Sequence, residues 1–179
     1  YFMDKKCNVK VPKLYIIRGA SGVGKSTVLN HLKAQLDDAF LIDIDSVRAK
    51  FSRMDWLNGV TEFVNAQKIV RVMVNEVIKL GYGNIIVADP FPIELLKLFL
   101  EDISCPIHII SLYCDSEELL RRLEERGRPI LHREHIFNLN KVIREYDLDL
   151  MDIKADRVIY FDNTHKDECA LDIYFQQEK

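Results

Sequence analysis

A three-layer αβα fold, with a parallel sheet between two layers of helices, is predicted by three features of this 179-residue chain. Five short apolar runs alternate with segments of helical period. The runs are continuous and rich in β-branched residues, as strands buried on both faces should be. The chemically interesting residues fall at the carboxyl ends of those runs, where parallel α/β sheets bind their ligands.

Each element carries its own signal. Residues 14–17 form the first run, which ends at Gly19; residues 40–44, 84–88, 106–113 and 157–161 form the others. Val28, Leu29, Leu32 and Leu36 recur at three- and four-residue spacing, which predicts a helix. Phe63, Ala66, Ile69, Val70, Met73, Val74, Val77 and Ile78 do the same and stop at Gly81. Pro92 stands where a first helical turn accepts it, ahead of Leu95, Leu96, Phe99 and Leu100. Asp115 or Ser116 is expected to cap the next helix, with Glu118 behind it and Leu119, Leu120 and Leu123 on one face. Ile136, Leu139, Val142, Ile143, Tyr146 and Leu150 mark another stripe. Thr164 and Asp167 would open a last helix carrying Leu171, Ile173 and Phe175. Strand and helix in alternation imply right-handed crossovers.

The length suits one domain, residues 1–179, rather than two. Apolar residues are 48% and charged residues 30%, the balance of a soluble globular protein. A net charge of -3 argues against a protein that coats nucleic acid. Cys7, Cys105, Cys114 and Cys169 form no C-x-x-C pair and no zinc-type spacing, so they are expected as reduced thiols. No apolar run reaches the roughly 18 residues of a membrane span, and no signal-peptide pattern opens the chain. A cytoplasmic protein with no membrane partner, monomeric or homodimeric, is expected.

Gly19, Ala20, Ser21, Gly22, Val23, Gly24, Lys25 and Ser26 fit G-x-x-x-x-G-K-S/T, between a predicted strand and a predicted helix that Thr27 continues. Glycines let main-chain amides approach phosphate oxygens closely. Successive N–H groups and the helix N-terminus then offer partial positive charge to a polyphosphate. Lys25 adds a full charge near the β- and γ-phosphates, and the Ser26 hydroxyl is placed for Mg²⁺. The motif therefore predicts a P-loop NTPase fold that binds a nucleoside triphosphate. The D-x-x-G and N-K-x-D signatures of small GTPases are missing: residues 89–92 read Asp-Pro-Phe-Pro, and Asn140 and Lys141 precede Val142 and Ile143.

Further polar residues follow the later strands. Asp43 and Asp45 form D-x-D, and alternation along a strand would put both on one side. One carboxylate could orient the Mg²⁺ shell and the other accept a proton from an attacking hydroxyl, while Arg48 holds an anionic acceptor. The competing reading is a helix cap at Asp45 or Ser46 with Arg48 as a surface charge. Asp89 ends the third strand, the place of a carboxylate near the metal, with a cap or turn before Pro90 as the alternative. Arg122, Arg126 and Arg128 flank Gly127 and Pro129, as in a lid that closes over phosphates, although Glu124 and Glu125 could simply pair with them. Asn163, after the fifth strand, could border the nucleotide base.

These residues together resemble the P-loop kinases of small molecules and nucleotides: shikimate, gluconate and nucleoside-phosphate kinases and the kinase domains of polynucleotide 5′-kinases. The resemblance runs from Leu14 to about Phe175. It implies a five-stranded parallel sheet in the order 2-3-1-4-5 with a helical lid at about residues 126–135. It also implies an acceptor-binding helical region at about residues 46–83. Asp43 and Asp45 look like the shikimate kinase pair, and Asp45 with Arg48 looks like the base and phosphate grip of polynucleotide kinases. Residues 122–129 resemble the lid. The glycine-rich third-strand signature of shikimate kinases is absent, which disfavours shikimate itself. Zeta-type toxins, which phosphorylate nucleotide sugars, are a further resemblance. The implied activity is transfer of the γ-phosphoryl group of ATP·Mg²⁺ to an unidentified acceptor. Nucleic acid enters only as such an acceptor. The alternatives are a polynucleotide 5′-kinase and a nucleotide-binding regulatory protein with little transfer activity.

Overall fold

Five parallel strands lie in the order β2-β3-β1-β4-β5 in the computed structural model. They are β1 (Lys13–Arg18), β2 (Ala39–Asp43), β3 (Asn84–Asp89), β4 (Ile107–Tyr113) and β5 (Arg157–Asp162). The helices are α1 (Lys25–Gln35), α2 (Ile44–Arg48), α3 (Val60–Lys79), α4 (Ile93–Leu100), α5 (Ser116–Glu125) and α6 (Arg133–Arg144). The structure describes residues 11–36, 38–51, 60–127, 130, 132–145, 150 and 152–165. The expected final helix beyond Thr164, together with Arg128, Pro129, Trp56 and Tyr146, lies outside them.

Alternation in β1 divides the core into two layers. Tyr15 and Ile17 face one side, with Val28, Leu29 and Leu32 of α1 and Leu119 and Leu123 of α5. Ile136, Phe137 and Leu139 of α6 pack against the same cluster. Leu14 and Ile16 face the other side, with Ala66, Val70 and Val74 of α3 and Leu96 and Phe99 of α4. The sheet is thus covered on both faces, which is why its central strands read as unbroken apolar runs.

Two local expectations change. Asp115 is the residue before α5, but its carboxylate makes no capping hydrogen bond. Its Oδ1 takes an ion pair from Arg144 Nη2 at 3.0 Å, while Glu118 turns to arginines within its own helix. Val142 is 44% exposed and stands outside the buried stripe of α6. A polar residue completes that face: Asn140 donates from Nδ2 to Cys114 O and accepts from Cys114 N, fixing the chain where it leaves β4.

Candidate functional site

The turn between β1 and α1 is shaped by glycine. Gly24 has φ 105, and a Cβ there would come within 2.5 Å of Asn163 Nδ2. Gly22 has φ 99, and a Cβ there would meet Leu119 Cδ1 at 2.9 Å. Both the left-handed backbone and the close packing exclude a side chain. Lys25 Nζ donates to Gly19 O at 2.8 Å and Ala20 O at 3.0 Å, closing the loop on itself. Burial lowers the pKa of this ammonium, an effect opposed by Asp45, Asp89 and Asp43.

Asp43 ends β2 and serves the next helix. Its Oδ1 accepts from Asp45 N at 3.0 Å, the N-cap bond of α2. Its Oδ2 accepts from Ser26 Oγ at 3.2 Å. The expectation that Asp43 and Asp45 share one side of a strand is therefore corrected. The strand stops at Asp43, because its side chain caps, and Asp45 lies in the first turn of α2. The competing reading, a cap at Asp45 or Ser46 with Arg48 as a surface charge, is corrected too: a cap is present, but it is Asp43, and Arg48 has specific partners. Arg48 Nη1 donates to Asp45 Oδ1 at 2.8 Å, and its guanidinium lies 4.1 Å from the centre of the Phe63 ring. This cation–π contact joins α2 to α3.

A row of buried polar residues crosses the carboxyl ends of three adjacent strands. Arg18 of β1 pairs in register with Asp89 of β3 and with Ser111 of β4, and all three are buried. Arg18 Nε donates to Phe91 O at 3.1 Å. Phe91 is buried at φ 47, so this bond steadies a turn that a bulky residue seldom adopts. Asp89 Oδ2 accepts from Gln67 Nε2 at 2.8 Å, while Asp89 Oδ1 is buried without a hydrogen-bond partner. Burial pushes the Asp89 carboxyl up to about 7; the Gln67 bond opposes the rise and the charge on Asp45 adds to it.

On the far side of the loop, Arg122 is 7% exposed. Its Nη2 donates to Asn163 O and Thr164 O at 2.7 and 3.0 Å. Its Nη1 donates to Val23 O at 3.3 Å and its Nε to Glu118 Oε1 at 2.6 Å. Arg121 and then Arg122 hold the Glu118 carboxyl down to about 2. Arg121 also pairs with Glu125. Asn163 Nδ2 donates to Val23 O at 2.6 Å and its main-chain N to Tyr113 O at 2.7 Å. The picture of Arg122 as a closing arginine is revised by this geometry: its donors are engaged by main-chain carbonyls and Glu118, tying the loop to the end of β5. Arg126 is different. Its Nη1 reaches Ser21 Oγ at 3.4 Å across the loop. A cavity of about 220 Å³ lies between these parts, lined by Gly24, Thr27, Val28, Arg122, Arg126 and Asn163 among others.

The predicted residues thus fall into two groups around the loop. Ser26, Asp43, Asp45, Arg48 and Asp89 lie on the β2–β3 side, with Lys25 between, and Arg122, Arg126 and Asn163 lie on the β4–β5 side. Arg128 is outside the described residues. Gln67 and Arg18 were missed as site residues. Gln67 had a signal, since it sits four residues after Phe63 and three before Val70, inside the apolar stripe of α3. Arg18 had one too, as a charge ending a buried strand just before Gly19.

The sequence family described as AAA domain matches residues 16–138. No curated protein matches the chain. Similar solved structures include a protein from Chloroflexus aurantiacus described as a candidate kinase, at TM-score 0.65 and 14% identity over 94% of this chain and 96% of that one. Shikimate kinase from Acinetobacter baumannii, solved with shikimate, is similar at TM-score 0.59 and 20% identity over 94% and 92%. A chain of the Pnkp1/Rnl/Hen1 RNA repair complex is similar at TM-score 0.61 and 22% identity, over 81% of this chain and 49% of that one. At these identities the likeness shows the fold alone: a three-layer αβα P-loop fold, whose strand order here is the expected 2-3-1-4-5.

Proposed function

The chain belongs to the AAA-domain family, and from that premise we propose that it is a P-loop phosphotransferase moving the γ-phosphoryl group of ATP·Mg²⁺ onto a small-molecule or nucleotide acceptor. One observation carries the reading. Beside the phosphate loop stands a second charged constellation, the Asp45–Arg48 pair at 2.8 Å, in the helix α2 capped by the same Asp43 that touches Ser26. A protein that only binds nucleotide needs the loop; a carboxylate and a guanidinium facing a separate substrate are what transfer requires.

In this reading the amides of residues 19–24, with Lys25, hold the β- and γ-phosphates. Asp45 accepts the acceptor's hydroxyl proton and Arg48 grips an acceptor anion. Arg126, with Arg128, balances charge on the transferring group. Arg122 and Asn163 build the wall of the cavity that takes the base. Oxygen donors suit Mg²⁺: Ser26 Oγ, Asp43 Oδ2 and the unpartnered Asp89 Oδ1. Among the described residues no cluster of three or more His, Cys, Asp or Glu side chains could hold a metal alone. When bound, the ion would neutralise charge developing on the phosphates. The acceptor-binding part is assigned to about residues 46–83 and the lid to about 126–135. Among the described residues no helix is long and apolar enough to cross a membrane, and Cys105 and Cys114 are free thiols. A cytoplasmic location belongs to the same proposal.

A polynucleotide 5′-kinase is the second reading, favoured by the Asp45-x-x-Arg48 spacing and its salt bridge. The test is calorimetry with ATP and GTP at millimolar Mg²⁺, then transfer from γ-labelled ATP to sugars, nucleosides, nucleotides and 5′-hydroxyl oligonucleotides. Label on a metabolite supports the first reading. Label on oligonucleotides, falling steeply with salt, selects the second. Tight binding without transfer to any acceptor rejects both in favour of a regulatory protein.

A further inference from the structure

Gln67 is the buried polar side chain among the described residues of α3, set between Ala66 and Val70 in the apolar layer against the sheet. Burying an amide there is costly unless its polar atoms are bonded. Its Nε2 donates at 2.8 Å to Asp89 Oδ2, across a separation of 22 residues. The other carboxylate oxygen, Oδ1, is buried without a hydrogen-bond partner. Folded proteins seldom leave such an oxygen unmatched, and the exceptions call for a functional explanation. A carboxylate with one oxygen clamped cannot turn about its Cβ–Cγ bond without breaking that clamp. A neutral donor also fixes the group without cancelling its charge, as an arginine or lysine at the same place would.

We propose that Gln67 is a positioning residue: it locks one oxygen of Asp89 so that the other stays available to the Mg²⁺ that accompanies the nucleotide. The proposal rests on the phosphotransferase reading. It adds a specific link, because Gln67 lies on the helix assigned to the acceptor side and Asp89 on the strand beside β1. Helix α3 then sets the metal-facing carboxylate directly, and an acceptor that shifts α3 would be felt at the metal.

The test compares wild type with Gln67→Met, which keeps the volume and removes the donor. Calorimetry gives the ATP dissociation constant in EDTA and at about 5 mM Mg²⁺, and the ratio is the metal-dependent gain in affinity. The expected result is an EDTA affinity within about twofold of wild type and a metal-dependent gain reduced about tenfold, with one cooperative melt showing that the variant folds. Gln67→Asn, which keeps an amide donor, should recover part of the gain. Should Gln67→Met fail to fold, Gln67→Leu takes its place. An unchanged gain overturns the proposal and leaves the phosphotransferase reading standing. Equal losses in EDTA and in Mg²⁺ overturn it in favour of a purely structural amide. Absence of ATP binding in wild type overturns the reading beneath it as well.

Discussion

Replacing Asp89 by asparagine should stabilise the ligand-free protein, and more so at high pH. Asp89 is 1% exposed and its carboxyl is raised from 3.8 to about 7, chiefly by burial. Between those values the folded chain keeps a proton that the unfolded chain has released. Stability therefore falls as pH rises through the window, and the cost is complete above the folded value. Integrating the two titrations gives a cost of about 4 kcal/mol at pH 8 and about 2 kcal/mol at pH 5. The substituted amide would keep an oxygen for Gln67 Nε2 while removing the charge. In EDTA, Asp89→Asn should thus gain about 2–4 kcal/mol at pH 8, or about 5–10 °C in Tm for a chain of this size. The gain should shrink by about 2–3 kcal/mol on moving to pH 5. Thermal melts by circular dichroism at both pH values measure this directly. Equal effects at the two pH values, or a variant less stable than wild type at pH 8, would refute the argument. A site group that weakens its own fold is a familiar trade between stability and activity.

Other substitutions probe the rest of the site. Asp45→Asn should leave ATP affinity within about threefold and lower turnover about a hundredfold or more, read from steady-state kinetics once an acceptor is found. Gly24→Ala forces a side chain into a φ of 105 and within 2.5 Å of Asn163 Nδ2, so calorimetry should find ATP binding weakened at least about tenfold and melts a loss of about 1–3 kcal/mol. Arg122→Ala should cost about 3–5 kcal/mol in urea unfolding, because three main-chain carbonyls and Glu118 lose a buried partner. Arg126→Ala should move stability by no more than about 0.5 kcal/mol. Its effect should fall on turnover instead, so that the two arginines separate in paired stability and rate measurements.

The loop and the sheet were legible because their signals are local. Residues 19–26 match a motif whose glycines answer to backbone angle and close contact, and the strands are unbroken apolar runs. Asp43 stood out in the sequence, but the capping bond that its Oδ1 makes to α2 did not. A strand ending in a residue that caps a five-residue helix leaves no period long enough to read. Arg122 and Arg126 share a spacing of four and look alike in the sequence; only the carbonyls of Val23, Asn163 and Thr164 distinguish them, and those come from distant segments. Gln67 and Asp89 are 22 residues apart, and no spacing rule joins a helix amide to a strand carboxylate. Long-range pairing of this kind is settled by packing, which is where reading the chain residue by residue stops.

The position of β1 has a consequence for synthesis. It is the middle strand, yet its two neighbours are residues 84–89 and 107–113. A ribosome delivers Leu14, Ile16 and Ile17 long before either flanking strand exists. Non-local closure of this kind slows folding and leaves an apolar segment open to wrong partners. The nascent chain therefore has reason to engage a holding chaperone until residue 113 has cleared the exit tunnel.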